Sequence, residues 1–285
     1  MAQFFNQATL SYNGTSTTSN ITVGELLEVL SASKRAVSGN YGMNETVTYA
    51  ISIVNAGLVA FNSLTVTDDL GAYTEGDVTR VPLTYTPGSV LYYVNGVVQP
   101  TPTIGIEGDR LVITGINVPP SGNVILLYEA SVNQYAPLQS GSTITNTAVI
   151  SGGGLSAPLT TEETITVQNN SLLTISKSIC PSTITENGRI TYTFVIQNSG
   201  NTPAVATDLV AVTDLFNPIL DIDSVTLNGI TLTDPDDYTY DEETGLFTTV
   251  PGRITVDAAT YSRDAATGAW VINPGVSVLT VTGTI

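Results

Sequence analysis

The chain contains no histidine, and that absence removes a large share of enzyme chemistry. Ser–His and Cys–His nucleophile systems need an imidazole base, and the common zinc sites need imidazole ligands. Cysteine is nearly as scarce. The one residue, Cys180, cannot form an internal disulfide and reads as a small buried or half-buried side chain, with a bridge between subunits as the alternative. Charged residues make up 12% of the chain, about half the usual share, so the surface must be built from Thr, Ser, Asn and Gly. The net charge of −17 opposes nucleic acid or an anionic membrane as partner.

Long apolar runs are missing too. "VILLYEASV" is broken by Glu129, so no membrane insertion is expected. "MAQFFNQATL" has neither a basic region nor an apolar core and does not read as a signal peptide. Either a signal has been removed, or the protein is assembled in the producing cell and released by another route. "SGGGLSAP" is not followed by Lys-Ser/Thr, so it is a turn and not a phosphate loop. The acidic stretch 234–245, "DPDDYTYDEETG", lacks calcium-loop spacing and reads as a solvated hairpin. No cofactor and no metal are expected.

What is present is strand. Hydrophobic residues reach 42% over 285 residues, enough for about two domains with real cores. Short alternating runs of Val, Ile, Thr and Tyr, punctuated by Gly, Pro and Asn, give an all-β pattern of sandwich type.

The pattern repeats. "LSASKRAVSGNYGMNETVTYAISIVNAG", ending at Gly57, matches "LTISKSICPSTITENGRITYTFVIQNSG", ending at Gly200; Lys34 to Tyr49 and Lys177 to Tyr192 are both 15 residues. "SLTVTDDL" pairs with "DLVAVTDLF", "SVLYYVNGV" with "SVTLNGI", and "VPPSGNVILLYEASV" with "INPGVSVLTVTGTI". Each Asn-Gly should mark a tight turn. The first copy then continues through "ITNTAVISGGGLSAPLTTEETITV", residues 144–167, for which the second copy offers no counterpart. A near match stands at the other end of the chain, "FFNQATLSYNGTSTTSNITV", residues 4–23. The expected organisation is a donor hairpin in residues 1–23, a complete sandwich in 24–168, and a sandwich lacking its last two strands in 169–285.

The run "KSICPSTITENGRITYTFVIQNSGNTPAVATDLVAVTDLF" resembles the domain-of-unknown-function-eleven family of bacterial surface repeats. The resemblance rests on a Lys near the start, then Gly-x-x-x-Thr-Tyr, Asn-x-Gly, Val-Thr-Asp and a later Asn-Thr-Ala, here at Asn146; the first copy departs from it with "MNETVTY". It implies two tandem immunoglobulin-like sandwiches of stalk or adhesive type. In outline the chain also resembles the major proteins of clostridial spore appendages, which implies a bacterial cell or spore surface.

A sandwich without two strands exposes core and bare edge groups. The linker from Gly24 to Lys34 reaches at most ~35 Å extended, too short for residues 4–23 to span the first domain and reach their own second one. The expectation is head-to-tail complementation, the hairpin of one subunit completing the second domain of the next copy. A frayed arm, closure within a dimer, and an adhesin module whose hairpin pairs with a separate partner are the alternatives.

The only two lysines, Lys34 and Lys177, occupy the same repeat position. Strand parity turns them inward, with Leu30 and Ala32 beside one and Leu173 and Ile175 beside the other. The same parity aligns Asn146 with Ile144, Ala148 and Ile150, and Asn6 with Phe4, Ala8 and Leu10. It places Asp68 with Leu64 and Val66, and Asp214 with Val210 and Val212. Lys, Asn and an acid on apolar faces is the constellation of the spontaneous isopeptide bonds of Gram-positive surface proteins, which this chain resembles in character. Burial favours a neutral amine and a protonated acid; the amine attacks the carboxamide carbon and ammonia leaves. Phase assigns Lys34 to Asn146 within a subunit, with Asp68 as acid, and Lys177 to Asn6 of a neighbour, with Asp214 as acid. A buried Lys–Asp ion pair with Asn as hydrogen-bond partner is the alternative. Glu45 and Glu186 are rival acids that do not align between copies.

Overall fold

The computed structural model describes residues 2–285. It is all-β, with two immunoglobulin-like sandwiches in tandem and an N-terminal hairpin projecting from the first. The hairpin is built from β1 (Ala2–Asn6), β2 (Thr9–Tyr12), β3 (Thr15–Thr18) and β4 (Thr22–Leu26), with β1 antiparallel to β4 and β2 to β3. Asn13-Gly14 turns it with positive φ at both residues, the type I′ geometry whose twist suits a two-residue hairpin. Asn6 lies opposite Thr22 and Thr9 opposite Thr18, so residues 7 and 8 face residues 19–21. The extra residue makes a bulge that bends the hairpin, held by Ser19, whose N–H donates to the Ala8 carbonyl at 2.8 Å.

The first domain runs through β5 (Leu30–Ala36), β6 (Asn40–Tyr41), β7 (Thr46–Asn55), β8 (Phe61–Asp68), β9 (Tyr73–Glu75), β10 (Val78–Arg80), β11 (Leu83–Tyr85), β12 (Leu91–Val94), β13 (Val97–Gln99), β14 (Thr103–Glu107), β15 (Arg110–Val118), β16 (Asn123–Val132), β17 (Thr143–Gly152) and β18 (Leu159–Val167). One sheet has the order β13-β12-β16-β7-β5 and the other β14-β15-β8-β17-β18-β6. Their inner faces meet in a core that includes Ile51, Ile53, Leu64, Val66, Leu126 and Ile150.

The second domain runs through β19 (Leu173–Cys180), β20 (Arg189–Asn198), β21 (Thr213–Leu215), β22 (Asp221–Leu227), β23 (Ile230–Thr231), β24 (Tyr238–Asp241), β25 (Leu246–Thr249), β26 (Thr260–Arg263), β27 (Trp270–Asn273) and β28 (Gly275–Thr284). Its first sheet, β23-β22-β28-β20-β19, reproduces the order of the first domain strand for strand; its second stops at β24-β25-β21. Within the described residues nothing in it corresponds to β17, β18 or β6. The repeat extends to loops. Asn55 holds the Val59 and Pro119 carbonyls and the Gly57 N–H; Asn198 holds the Thr202 and Asp257 carbonyls and the Gly200 N–H. Both turns over Asn95-Gly96 and Asn228-Gly229 have positive φ at the two residues.

Hairpin β26–β27 has no counterpart in the first domain and crosses to it. Trp270 N–H donates to the Gln134 carbonyl at 2.8 Å, and Arg263 donates to the Tyr73 hydroxyl at 2.8 Å while lying 3.8 Å from the Trp270 ring centroid. Tyr261 and Ile272 pack against the first core. Cys180 is exposed, contrary to the sequence reading: the parity that turns Lys177 inward turns Cys180 to the outer face of edge strand β19. Stretch 234–245 holds β24 and the turn of the β24–β25 hairpin, and Asp241 accepts from Glu243 and Thr244 N–H to close that turn.

Candidate functional site

Lys34 on β5, Asp68 at the end of β8 and Asn146 on β17 converge between the two sheets of the first domain, each fully buried. Lys34 Nζ donates to Asp68 Oδ2 at 2.6 Å. Tyr128, on β16, donates its hydroxyl to the same oxygen at 2.7 Å and accepts from Asn146 Nδ2 at 2.9 Å. Asp68 Oδ1 takes the Leu70 N–H at 3.0 Å. Asn146 Oδ1 is buried without a hydrogen-bond partner, an orphan acceptor of the kind that costs free energy unless it has a use. Tyr49, paired with Tyr128 in the ladder and stacked on it at 5.4 Å, puts its ring centroid 4.9 Å from Lys34 Nζ.

Burial dominates the electrostatics. It pushes the Lys34 amine below its ordinary pKa, against the opposing pull of Asp68. It pushes the Asp68 carboxyl up, against Lys34. It also lifts the Tyr128 phenol well above its usual range, helped by Asp68. The pair is therefore drawn toward the uncharged form, amine and carboxylic acid. A neutral amine, an acid beside it and an unpaired carboxamide oxygen in one dry space is an arrangement able to perform acyl transfer from Asn to Lys.

The second site has the same plan with its cover removed. Lys177 donates to Asp214. It also lies over Tyr192 at 4.3 Å, Phe216 at 5.3 Å and Phe194 at 5.4 Å from the ring centroids. Yet the Lys177 side chain is 38% accessible where that of Lys34 is 0%. The difference is one of strands. In the first domain β17 and β18 extend the sheet beyond β8 and close over β5; beyond β21 no described strand does so. Ile175 and Ile179 are exposed with Lys177.

Asn6 does not meet Lys177 within the chain. It sits on the free hairpin with Phe4, Leu10, Tyr12 and Leu26, all exposed. The ladder pairs Asn6 with Thr22 as it pairs Asn146 with Glu163, and Phe4 with Gly24 as Ile144 with Ile165. A large and a small residue replace two of middle size, and a β-carbon on Gly24 would overlap the Phe4 ring. Glu45 and Glu186 are both exposed, away from either lysine. Tyr49 and Tyr128 are the site residues that sequence reading missed. The Thr-Tyr match between copies marks Tyr49, but Tyr128 has no such signal, because the residue opposite Tyr192 is Val281.

No family model matches the chain, and no curated protein matches it. Among solved structures it is similar to BcpA, the major pilin subunit of Bacillus cereus, at 13% identity over 95% of this chain and 73% of that one, with a TM-score of 0.37. It is also similar to the full-length major pilin RrgB of Streptococcus pneumoniae, at 12% identity over 89% of this chain and 42% of that one, TM-score 0.34. The collagen-binding subdomain of the Enterococcus faecalis surface protein ACE matches at 10% identity over 51% of this chain and 100% of that one, TM-score 0.32. These are distant likenesses, and the fold stands on its own ladders.

Proposed function

We propose that this chain is the structural subunit of a cell-surface or spore-surface filament, polymerising head to tail by donor-strand complementation and locked by Lys–Asn isopeptide bonds. The observation that carries the reading is complementary exposure in one molecule. A hairpin presents Phe4, Asn6 and Leu10 to solvent, and a sandwich presents Lys177, Ile175 and Ile179 where the first domain has strands. Antiparallel β1 and β4 supply what β17 and β18 supply to the first domain, and main-chain pairing along β21 holds them. The contact is between different surfaces, so it propagates unless it closes into a ring.

In each site the neutral amine attacks the Asn carboxamide carbon, the protonated acid supplies a proton to the departing nitrogen and takes one from the amine, and ammonia leaves. Lys34 joins Asn146 as each subunit folds, with Asp68 as acid. Lys177 joins Asn6 of the incoming subunit, with Asp214 as acid, once the hairpin has shut out water.

The test is electrophoresis of the assembled protein after boiling in SDS, beside electron microscopy of the same sample. Filaments with a ladder of multiples of 29.8 kDa are expected. Filaments that boil to monomer would remove the covalent junction and keep the complementation. A monomeric protein that pairs with other molecules through its hairpin would point to an adhesin module instead.

A further inference from the structure

We infer that Tyr128 is a catalytic residue of the first-domain cross-link, carrying the proton from Asp68 to the departing nitrogen of Asn146. The inference rests on the covalent reading above and concerns a step that reading leaves open. Attack of Lys34 Nζ on Asn146 Cγ forms one C–N bond, and expulsion of ammonia breaks another. Counted from the Lys34 ammonium, Nζ gives up two protons in the process: one makes Asp68 the neutral acid, and Nδ2 must gain the equivalent of the other to leave as NH₃. Asp68 is placed to take the first, since Lys34 Nζ is 2.6 Å from its Oδ2. The bond that would deliver it to Nδ2 does not run from Asp68. Among the described residues, the hydrogen-bond partner of Asn146 Nδ2 is the Tyr128 hydroxyl, at 2.9 Å, and that hydroxyl bonds onward to Asp68 Oδ2 at 2.7 Å.

The chain Lys34–Asp68–Tyr128–Asn146 is therefore a continuous route. In the resting state Asn146 Nδ2 donates to Tyr128, and Tyr128 donates to the Asp68 carboxylate. After attack, Nδ2 carries a lone pair and Asp68 carries the former amine proton. Both hydrogen bonds then reverse: Asp68 donates to the phenol oxygen as the phenol hydrogen passes to Nδ2. Asp68, left as a carboxylate, then takes the second proton from Nζ and ends as the neutral acid; the phenol ends as it began, no charge is left behind, and no oxidant or reductant is needed.

The second domain gives an internal contrast. Tyr192 faces Val281 in the ladder where Tyr49 faces Tyr128, so the junction between subunits has no phenol at this point. The relay belongs to the first domain alone.

The experiment recovers the full chain in its never-folded form from inclusion bodies dissolved in denaturant, folds it by dilution and follows intact mass with time, for the natural protein and for Tyr128→Phe. Folding is checked by near-ultraviolet circular dichroism. The natural protein should lose about 17 Da as one ammonia, and Tyr128→Phe should do so at least about 100-fold more slowly, the usual share of a positioned acid–base group. In the same variant the SDS-resistant junction should form at the natural rate. Should Tyr128→Phe fail to fold, 3,5-difluorotyrosine at position 128 keeps the packing and changes the acidity, and a shifted rate is expected. A natural rate in either variant overturns the relay and leaves the isopeptide intact. No mass loss from the natural protein overturns both.

Discussion

Lys34 Nζ and Asp68 Oδ2 lie 2.6 Å apart in a space that solvent does not reach, and the equivalent pair, Lys177 and Asp214, meets in one that solvent does. The two pairs hold the same repeat position, and the difference in their burial is two strands. That difference makes each pair's consequences separable by experiment.

The buried pair is tested by removing one half. With Asn146→Ala as the background throughout, so that no cross-link forms, Lys34→Met leaves Asp68 buried without its partner, and the first domain should lose about 3–5 kcal/mol in denaturant unfolding. Lys34→Met combined with Asp68→Leu should recover most of it. A loss below about 1 kcal/mol, the scale of an exposed pair, would contradict the dry geometry.

The rate of ammonia loss in the first domain should be bell-shaped in pH. The reactive pair shares one proton. Folded Asp68 is raised from 3.8 and folded Lys34 lowered from 10.5. As pH climbs through the raised range of Asp68, the doubly protonated pair gives way to the reactive one and the rate rises. As pH passes the lowered range of Lys34 the last proton is lost and the rate falls. The plateau should lie wholly between those two ordinary values. A rate still climbing at the upper one would show that Lys34 is not desolvated when it reacts.

At the junction, Lys177→Ala or Asn6→Ala should leave filaments visible by electron microscopy but convert the SDS ladder to monomer. Mass loss in the first domain should continue in both. An unchanged ladder would mean that other residues make the bond.

Gly24→Val tests the donor without touching either lysine. The new side chain meets the Phe4 ring, so the β1–β4 pairing or the ring must shift, and assembly measured by light scattering should slow at least tenfold, about 1.4 kcal/mol. Gly24→Val together with Phe4→Ile rebuilds the pairing of Ile144 with Ile165 and should restore it. Normal assembly by the single variant would mean that the Phe4 face is not the one that docks.

Much of this is legible in the sequence, because a strand has period two and a one-residue error inverts its faces. Parity alone put Lys34, Asp68 and Asn146 inside, and the repeat carried the assignment to Lys177 and Asp214. Residue type points Cys180 inward, but on β19 it stands three positions from Lys177, and parity turns it out. Tyr128 was illegible because it is one of 13 tyrosines on alternating strands, and only its distances to Asp68 and Asn146 single it out. Hairpin β26–β27 was missed because a repeat comparison is blind to what one copy lacks.

That hairpin bears on how such a filament would carry load. Between β18 and β19 the chain is joined by residues 168–172 alone, a tether that would let the two sandwiches swing. β26–β27 straps across the joint, with Arg263 held between Trp270 and Tyr73. Bending the joint means peeling Arg263, with Trp270 at its back, from the Tyr73 ring and hydroxyl, and stretching it shears the Trp270–Gln134 bond sideways. In such a filament the stiffness of each link would be set by this strap, and the proposed covalent bonds would set only the force at which the line parts.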